Sequence, residues 1–352
     1  MLTPFIQDTY LGHSFFLDTK AKAKLGDLDA QIKLGKDYFF DLKAKAELGD
    51  LGAQAQLGKA YFVGLNVLKN QEIAEFWLRE AQKDSSPIRS WVRGFCHLHE
   101  LADHQKDARV AREYFFLGHV QHCPDAQASL GLCYLHGEGG APDYEKAVHF
   151  LGLAAARKHA EAMFNLAMCC FKGIGCEPDI PLGRGFLRSA VKLHYAEAQY
   201  IEGICHLEGL YGVKPSRCAA AHLFRLAAEQ GYAPAQLKLG MCYHLGWGVE
   251  PNLESAANWY WRAAEGGEEV AQKFLRYIIA GQGGEEVARK LLWMIATEEG
   301  EKSARKLLEI IVAERGEKSA QKLLEIMVAE RGKESAQKFL EYIPPSSHEE
   351  LG

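Results

Sequence analysis

The stretch AQASLGLCYLHGEGG, residues 126–140, runs an apolar segment with a central cysteine into a glycine-rich break. Its spacing returns along the chain. AQAQLGKAYFVG starts at Ala53, RSWVRGFCHLHE at Arg89, AMFNLAMCCFKG at Ala162, AQYIEGICHLEG at Ala198 and AQLKLGMCYHLG at Ala235. Successive starts lie 36 or 37 residues apart, a period that marks a repeat architecture. A second small residue follows each start by 21 or 22 positions: Ala74, Ala111, Ala147, Gly183, Ala220 and Ala256. Three residues further on comes a bulky one: Trp77, Tyr114, Phe150, Phe186, Leu223 or Trp259. Between the anchors sit GEGGAPD, GIGCEPD and GWGVEPN, which break helices. One repeat therefore reads as helix, turn, helix, with the small residues allowing close approach. A lone repeat cannot bury its apolar face, so the repeats must stack into a solenoid.

Composition agrees with a folded chain. Of 352 residues, 48% are hydrophobic and 25% charged, an ordinary globular balance. The formal net charge of −5 argues against nucleic acid or an anionic membrane surface as partner. No apolar run approaches the ~20 residues that span a bilayer. The opening MLTPFIQDTYLGHSFFLD has no basic segment before Lys20 and carries Asp8, unlike a secretory signal. Nine cysteines without such a signal point to reduced thiols in the cytoplasm, with delivery into another cell left open.

The recurring residues resemble the Sel1-like repeat family, a longer-looped relative of the tetratricopeptide repeats. The family pattern, roughly A-x-x-x-L-G-x-x-Y-x-x-G-x-G-V followed by A-x-x-W-x-x-x-A-A-x-x-G, is met at Leu239, Gly240, Tyr243, Gly246, Gly248, Val249, Ala256, Trp259, Ala263, Ala264 and Gly267. The repeat from Arg89 departs most, lacking the opening Ala and the glycine-rich turn. The resemblance implies an all-α, right-handed superhelical solenoid of helical hairpins that scaffolds other proteins. It implies no catalysis.

The expected organisation is an irregular helical cap over 1–43, Sel1-like repeats over 44–270, short repeats over 271–343 and a disordered tail over 344–352. Ala21 begins a copy of the segment starting at Ala44, a truncated cap. From Glu285 the period falls to 16 residues: EEVARKLLWMIATEEG, EKSARKLLEIIVAERG and EKSAQKLLEIMVAERG, then KESAQKFLEYI. Ala304, Leu307, Leu308 and Ile311 form an amphipathic stripe, and glycines 300, 316 and 332 end the helices. Two outcomes are open: continued stacking, or a separate helical bundle.

Cys96, Cys133, Cys169, Cys205 and Cys242 hold the eighth position of five successive repeats. In the related tetratricopeptide pattern this slot is small and faces the paired helix, and cysteine behaves there as a small hydrophobe. Equivalent helices ~10 Å apart put these thiols beyond the ~7 Å Cα reach of a disulfide. Cysteine-rich family members bridge the Ala positions, but here Ala126, Ala154, Ala235 and Ala263 remain alanine. The clusters around Cys96, His97 and His99 and around His119, His122 and Cys123 have zinc-like spacing, yet a hairpin turning near Gln105 keeps them apart. Neither metal nor cofactor is expected. Glu161 and Glu197 recur at equivalent places without an evident acid/base pairing, so no enzyme constellation stands out.

The resemblance also supplies a groove phase. The third, seventh and tenth residues of each first helix line a concave face. These are Trp91, Phe95 and Leu98; Ala128, Leu132 and Leu135; Phe164, Met168 and Phe171; Tyr200, Ile204 and Leu207; Leu237, Met241 and His244. A contiguous apolar lining marks an interaction site, unless the superhelix is wound tightly enough for these residues to pack on each other. The reading is a non-enzymatic adaptor that takes a protein or peptide in this groove. A structural subunit of a larger assembly is the alternative, and an enzyme a distant third.

Overall fold

The structure, a computed structural model, describes residues 39–64, 67, 69–83, 86–298 and 301–331. Most of the expected cap, the last short helix and the tail lie outside these residues. Every regular element among the described residues is helical, as the repeat pattern predicts. Two compact bodies divide the chain, one ending at Tyr232 and the other starting at Ala233.

The first body is a row of hairpins. A helical stretch over 39–47 precedes α1 (Leu51–Val63), which pairs with α2 (Gln71–Glu80). Next come α3 (Pro87–His99) with α4 (Ala108–Val120), and α5 (Pro124–His136) with α6 (Tyr144–Ala156). The row ends with α7 (Ala160–Lys172) and α8 (Ile180–Lys192), then α9 (Ala196–Glu208) and α10 (Arg217–Glu229).

Each hairpin is closed by the same local chemistry. After α5 the chain turns at Gly137, whose φ of 74° suits glycine; an added Cβ would strike the Pro142 ring at 2.9 Å. Pro142 leads into Asp143, whose side chain accepts from the Lys146 N–H and caps α6. Asn70, Asp107, Asp179 and Ser216 cap α2, α4, α8 and α10 in the same way. The cap's own N–H returns to the first helix, as in Asp143 to the Tyr134 carbonyl at 2.9 Å. The divergent second repeat makes its turn without glycine, and Glu100 takes φ 57° there.

The core is centred one position beyond the bulky residues that recur in the sequence. The bulky residues three beyond the second anchor are half-buried or at the core's edge. The next residue is the one fully buried: Leu78, Phe115, Leu151, Leu187 and Phe224. Each sits over a small residue of the first helix; a Cβ on Gly94 would meet Phe115 at 2.5 Å, and one on Gly131 would meet Leu151 at 2.8 Å. The ladder thiols Cys96, Cys133, Cys169 and Cys205 are buried and unbridged beside them.

The second body begins with the hairpin α11 (Ala233–Leu245) and α12 (Leu253–Glu265), where Tyr260 fills the space left by Gly240. Its ladder thiol Cys242 is likewise buried and unbridged. The body continues with α13 (Glu269–Ala280) and the short-repeat helices α14 (Gly284–Glu298), α15 (Glu301–Arg315) and α16 (Glu317–Arg331). One apolar core runs through it from Ala256 on α12 to Leu324 on α16.

Candidate functional site

The first helices of the first body face one another across its inner side. Lys59 on α1 reaches Glu161 on α7, Nζ to Oε2 at 2.7 Å. Gln56, one turn earlier, donates to Asp125 on α5 at 2.6 Å. His159 links the same carboxylate to α7. Its Nδ1 accepts the Ala162 N–H at 3.3 Å, which leaves Nε2 as the donor toward Asp125 at 3.4 Å. Asp125, Glu161 and Glu197 thus stand at equivalent positions in the first turns of α5, α7 and α9, where an acid also suits the helix dipole.

The electrostatics along this ladder are uneven. Burial alone would raise the Glu161 carboxyl, but the charge and hydrogen bond of Lys59 hold it below its ordinary value. Burial likewise opposes ionisation of Asp125, and the His159 contact, Lys59 and Gln56 outweigh it. Lys59 stays protonated because Glu161 overcomes its desolvation. Glu197 goes the other way: burial and the neighbouring Glu161 charge push its carboxyl up, only partly offset by the Tyr195 hydroxyl and Lys59. Glu161 and Glu197, which carry no evident pairing in the sequence, are therefore electrostatic neighbours.

Glu197 is bonded by the Tyr195 hydroxyl, and other rings pack nearby. Phe164 and Tyr195 have centroids 5.5 Å apart, as do Tyr200 and Tyr232. Tyr195 and Tyr232 also interact electrostatically. All four side chains are half-buried.

The expected groove residues divide into two groups. Trp91, Phe95 and Phe171 are 1%, 6% and 9% exposed and belong to the core. The Trp91 indole donates to Ser129 at 3.0 Å, and Phe171 stacks on Tyr211 at 3.9 Å. These three offer little surface to a partner, because neighbouring helices of the same chain cover them. Leu98, Leu132, Phe164, Met168, Tyr200, Ile204 and Leu207 keep partial exposure in the first body. Leu237, Met241 and His244 do so in the second, where His244 lies 3.4 Å from the Tyr260 hydroxyl.

The zinc-like clusters have other partners. His97 stacks on Tyr114 at 5.6 Å and His99 packs on Phe95 at 4.5 Å. Among the described residues no three His, Cys, Asp or Glu side chains gather so as to hold a metal ion. Among the same residues, no helix is long and apolar enough to cross a membrane. Sequence reading missed Lys59, Gln56, Asp125, His159 and Tyr195. A signal was present, since Lys59 occupies the seventh position of the repeat from Ala53, the same slot as Met168 and Ile204.

Comparison with protein families finds the same repeats. The Sel1 repeat model matches residues 52–81, 124–159, 160–195, 196–232 and 233–268, passing over the divergent repeat from Arg89. The chain belongs to the Sel1 repeat family, whose members generally mediate protein–protein interaction. A chitin synthase regulator, SKT5, of Malassezia restricta is 31% identical over 215 residues, 56% of this chain but only 12% of that protein. Among solved structures, the protective antigen c5321 of uropathogenic Escherichia coli, displaying an SLR fold, is 23% identical at a TM-score of 0.48. It matches 86% of this chain and 70% of its own. A Sel1 repeat protein from Oxalobacter formigenes is 27% identical at a TM-score of 0.47, over 75% and 90% of the two chains.

Proposed function

We propose that the protein is a non-catalytic adaptor in the cytoplasm whose inner face binds a segment of another protein. The observation that carries this reading is the run of half-buried apolar side chains Phe164, Met168, Tyr200 and Ile204, placed on successive first helices beside the polar ladder. Partly exposed aromatic and methionine side chains suit adaptable contact. The chemistry of the ladder favours binding over catalysis, since Lys59 is held protonated by Glu161 and offers no nucleophilic amine. The likeness of part of the chain to a regulator agrees with such a role.

Photo-crosslinking tests it: p-benzoylphenylalanine replaces Tyr200 or Ile204 on the inner face, and Phe116 on the outer. Partner adducts are expected at Tyr200 and Ile204. Adducts confined to Phe116 would favour the second reading, a structural subunit, for which the exposed Phe116, Leu117 and Val120 on α4 speak. In that case the pure protein would self-associate in size-exclusion chromatography.

A further inference from the structure

The inner face carries a charge imbalance that specifies an occupant. Asp125, Glu161 and Glu197 supply three carboxylates at one position of three successive repeats. The ammonium group seated on them is Lys59, which bonds Glu161 at 2.7 Å. Lys59 comes from the chain itself and sits at a groove position of the first repeat, so it occupies the place an incoming side chain would take. Glu197 is the rung bonded by a hydroxyl rather than an ammonium: Glu161 repels it, the Tyr195 hydroxyl bonds it, and the Lys59 charge, seated on Glu161, offsets the repulsion only in part. Tyr195, which bonds that rung, packs on Phe164, and Tyr200, one turn further along the same helix, packs on Tyr232. A carboxylate beside aromatic side chains suits a guanidinium or ammonium group, through charge-assisted hydrogen bonds and cation–π contact together. An acidic segment would meet like charge in a site of reduced dielectric, where repulsion is strongest.

We propose that the inner face of the first body docks an extended segment bearing arginine or lysine, with a basic side chain on Glu197 beside the tyrosine rings and Lys59 standing in for a second one on Glu161. This rests on the adaptor reading and narrows the partner to a basic peptide. It carries a consequence opposite in sign to ordinary damage. Removing Lys59 weakens the fold but vacates Glu161, so a basic segment gains a second anchor.

The test uses fluorescence anisotropy on the full chain with a labelled nonapeptide of alternating arginine and alanine. Matched peptides with glutamate or leucine in place of arginine serve as controls. The arginine peptide alone is expected to bind. Glu197→Gln should weaken it about tenfold or more, the order of a lost charge-assisted hydrogen bond, with an unchanged or higher melting temperature. Lys59→Met should tighten it severalfold; Lys59→Gln gives the same reading if the methionine variant does not fold. Equal binding of the glutamate peptide, an unchanged affinity in Glu197→Gln, or no arginine-peptide binding would overturn the proposal. So would displacement by spermine as effective as by unlabelled peptide, which would make the ligand a free polyamine. Selective binding of the leucine peptide, lost in Phe164→Ala, would overturn the basic occupant while the adaptor reading stands. Arginine-peptide binding with crosslinks confined to Phe116 would do the reverse.

Discussion

Lys59 and Glu161 stand 102 residues apart in the chain and 2.7 Å apart in space. The pair links the first helix of the repeat from Ala53 to that of the repeat from Ala162, so the intervening hairpins must curve to bring the two together. Both side chains keep partial exposure, 30% and 23%. The pair is therefore worth less than the ~3–5 kcal/mol lost on breaking a wholly buried one.

Glu161→Gln should cost about 1–3 kcal/mol at neutral pH, and the loss should fade in acid. The folded state holds the Glu161 carboxyl below its ordinary value. Its contribution is thus full above the unfolded value and disappears as pH falls through the folded one. Urea titrations at pH 7 and near pH 3 check this: the gap between wild type and variant should be full at the first and narrower at the second. A constant gap would mean that the charge is irrelevant.

The ladder cysteines should be reduced and individually replaceable. Burial pushes the Cys133 thiol up to about 12 and those of Cys205 and Cys242 to about 11, so almost no thiolate is present at pH 7. Cys218, which is exposed, should react first with a maleimide, and the ladder only on unfolding. Cys133→Ala should cost at most ~1–2 kcal/mol. A disulfide between two ladder positions in non-reducing mass spectrometry would contradict the packing role.

Much of this was legible in the sequence, and the gaps have physical causes. The hairpin pattern is written in local signals, Gly137 and Pro142 at the turn and Asp143 at the next cap, and local signals survive without tertiary knowledge. The most deeply buried position lies one residue beyond the conspicuous one. Trp77 and Phe150 attract notice by size, whereas Leu78 and Leu151 are the ones that fill the space above Gly58 and Gly131. Groove residues were placed by phase, but phase alone cannot say how tightly the helices close. Trp91 and Phe95 are therefore core, while Phe164 and Tyr200 are not. The Lys59–Glu161 contact depends on curvature accumulated over several repeats, which no short window of sequence contains.

Two substitutions at the turns and approaches should act with opposite signs. Gly131→Ala places a methyl 2.8 Å from Leu151, and overpacking of this kind costs ~1–3 kcal/mol. Glu100 ends α3 at φ 57°, where a side chain costs ~1–2 kcal/mol. Glu100→Gly relieves that strain but adds unfolded-state entropy, leaving a net gain of ~0.5–1 kcal/mol. Thermal melts of the two variants should shift down and up, respectively.

The short-repeat helices should prove integral to the second body. Leu275 and Ile279 on α13 share one core with Leu291, Leu292 and Leu308. Truncation after Gly283 would bare that core, and end repeats protect solenoids. The shortened protein should melt lower or aggregate. An unchanged melting curve would make α14–α16 an independent appendage.

Arg184 and Glu202 form a bidentate pair joining α8 to α9, with the second contact at 2.7 Å and both side chains 8% exposed. Glu202 holds the slot where other repeats place Leu57, Leu130, Leu166 and Leu239, each nearly or fully buried. The pair thus replaces an apolar contact, and removing one member leaves an uncompensated charge. Glu202→Leu alone should cost ~3–5 kcal/mol, although it restores the common residue. Combining it with Arg184→Met removes both charges and keeps the volume, which is often neutral or stabilising for buried pairs. Urea titrations of the two single variants and the double one close the cycle. The expected result is a double variant at least as stable as wild type, with a strongly favourable coupling between the positions. If the double variant instead loses the sum of the two single losses, the two side chains contribute separately and the ion pair itself adds nothing to the junction.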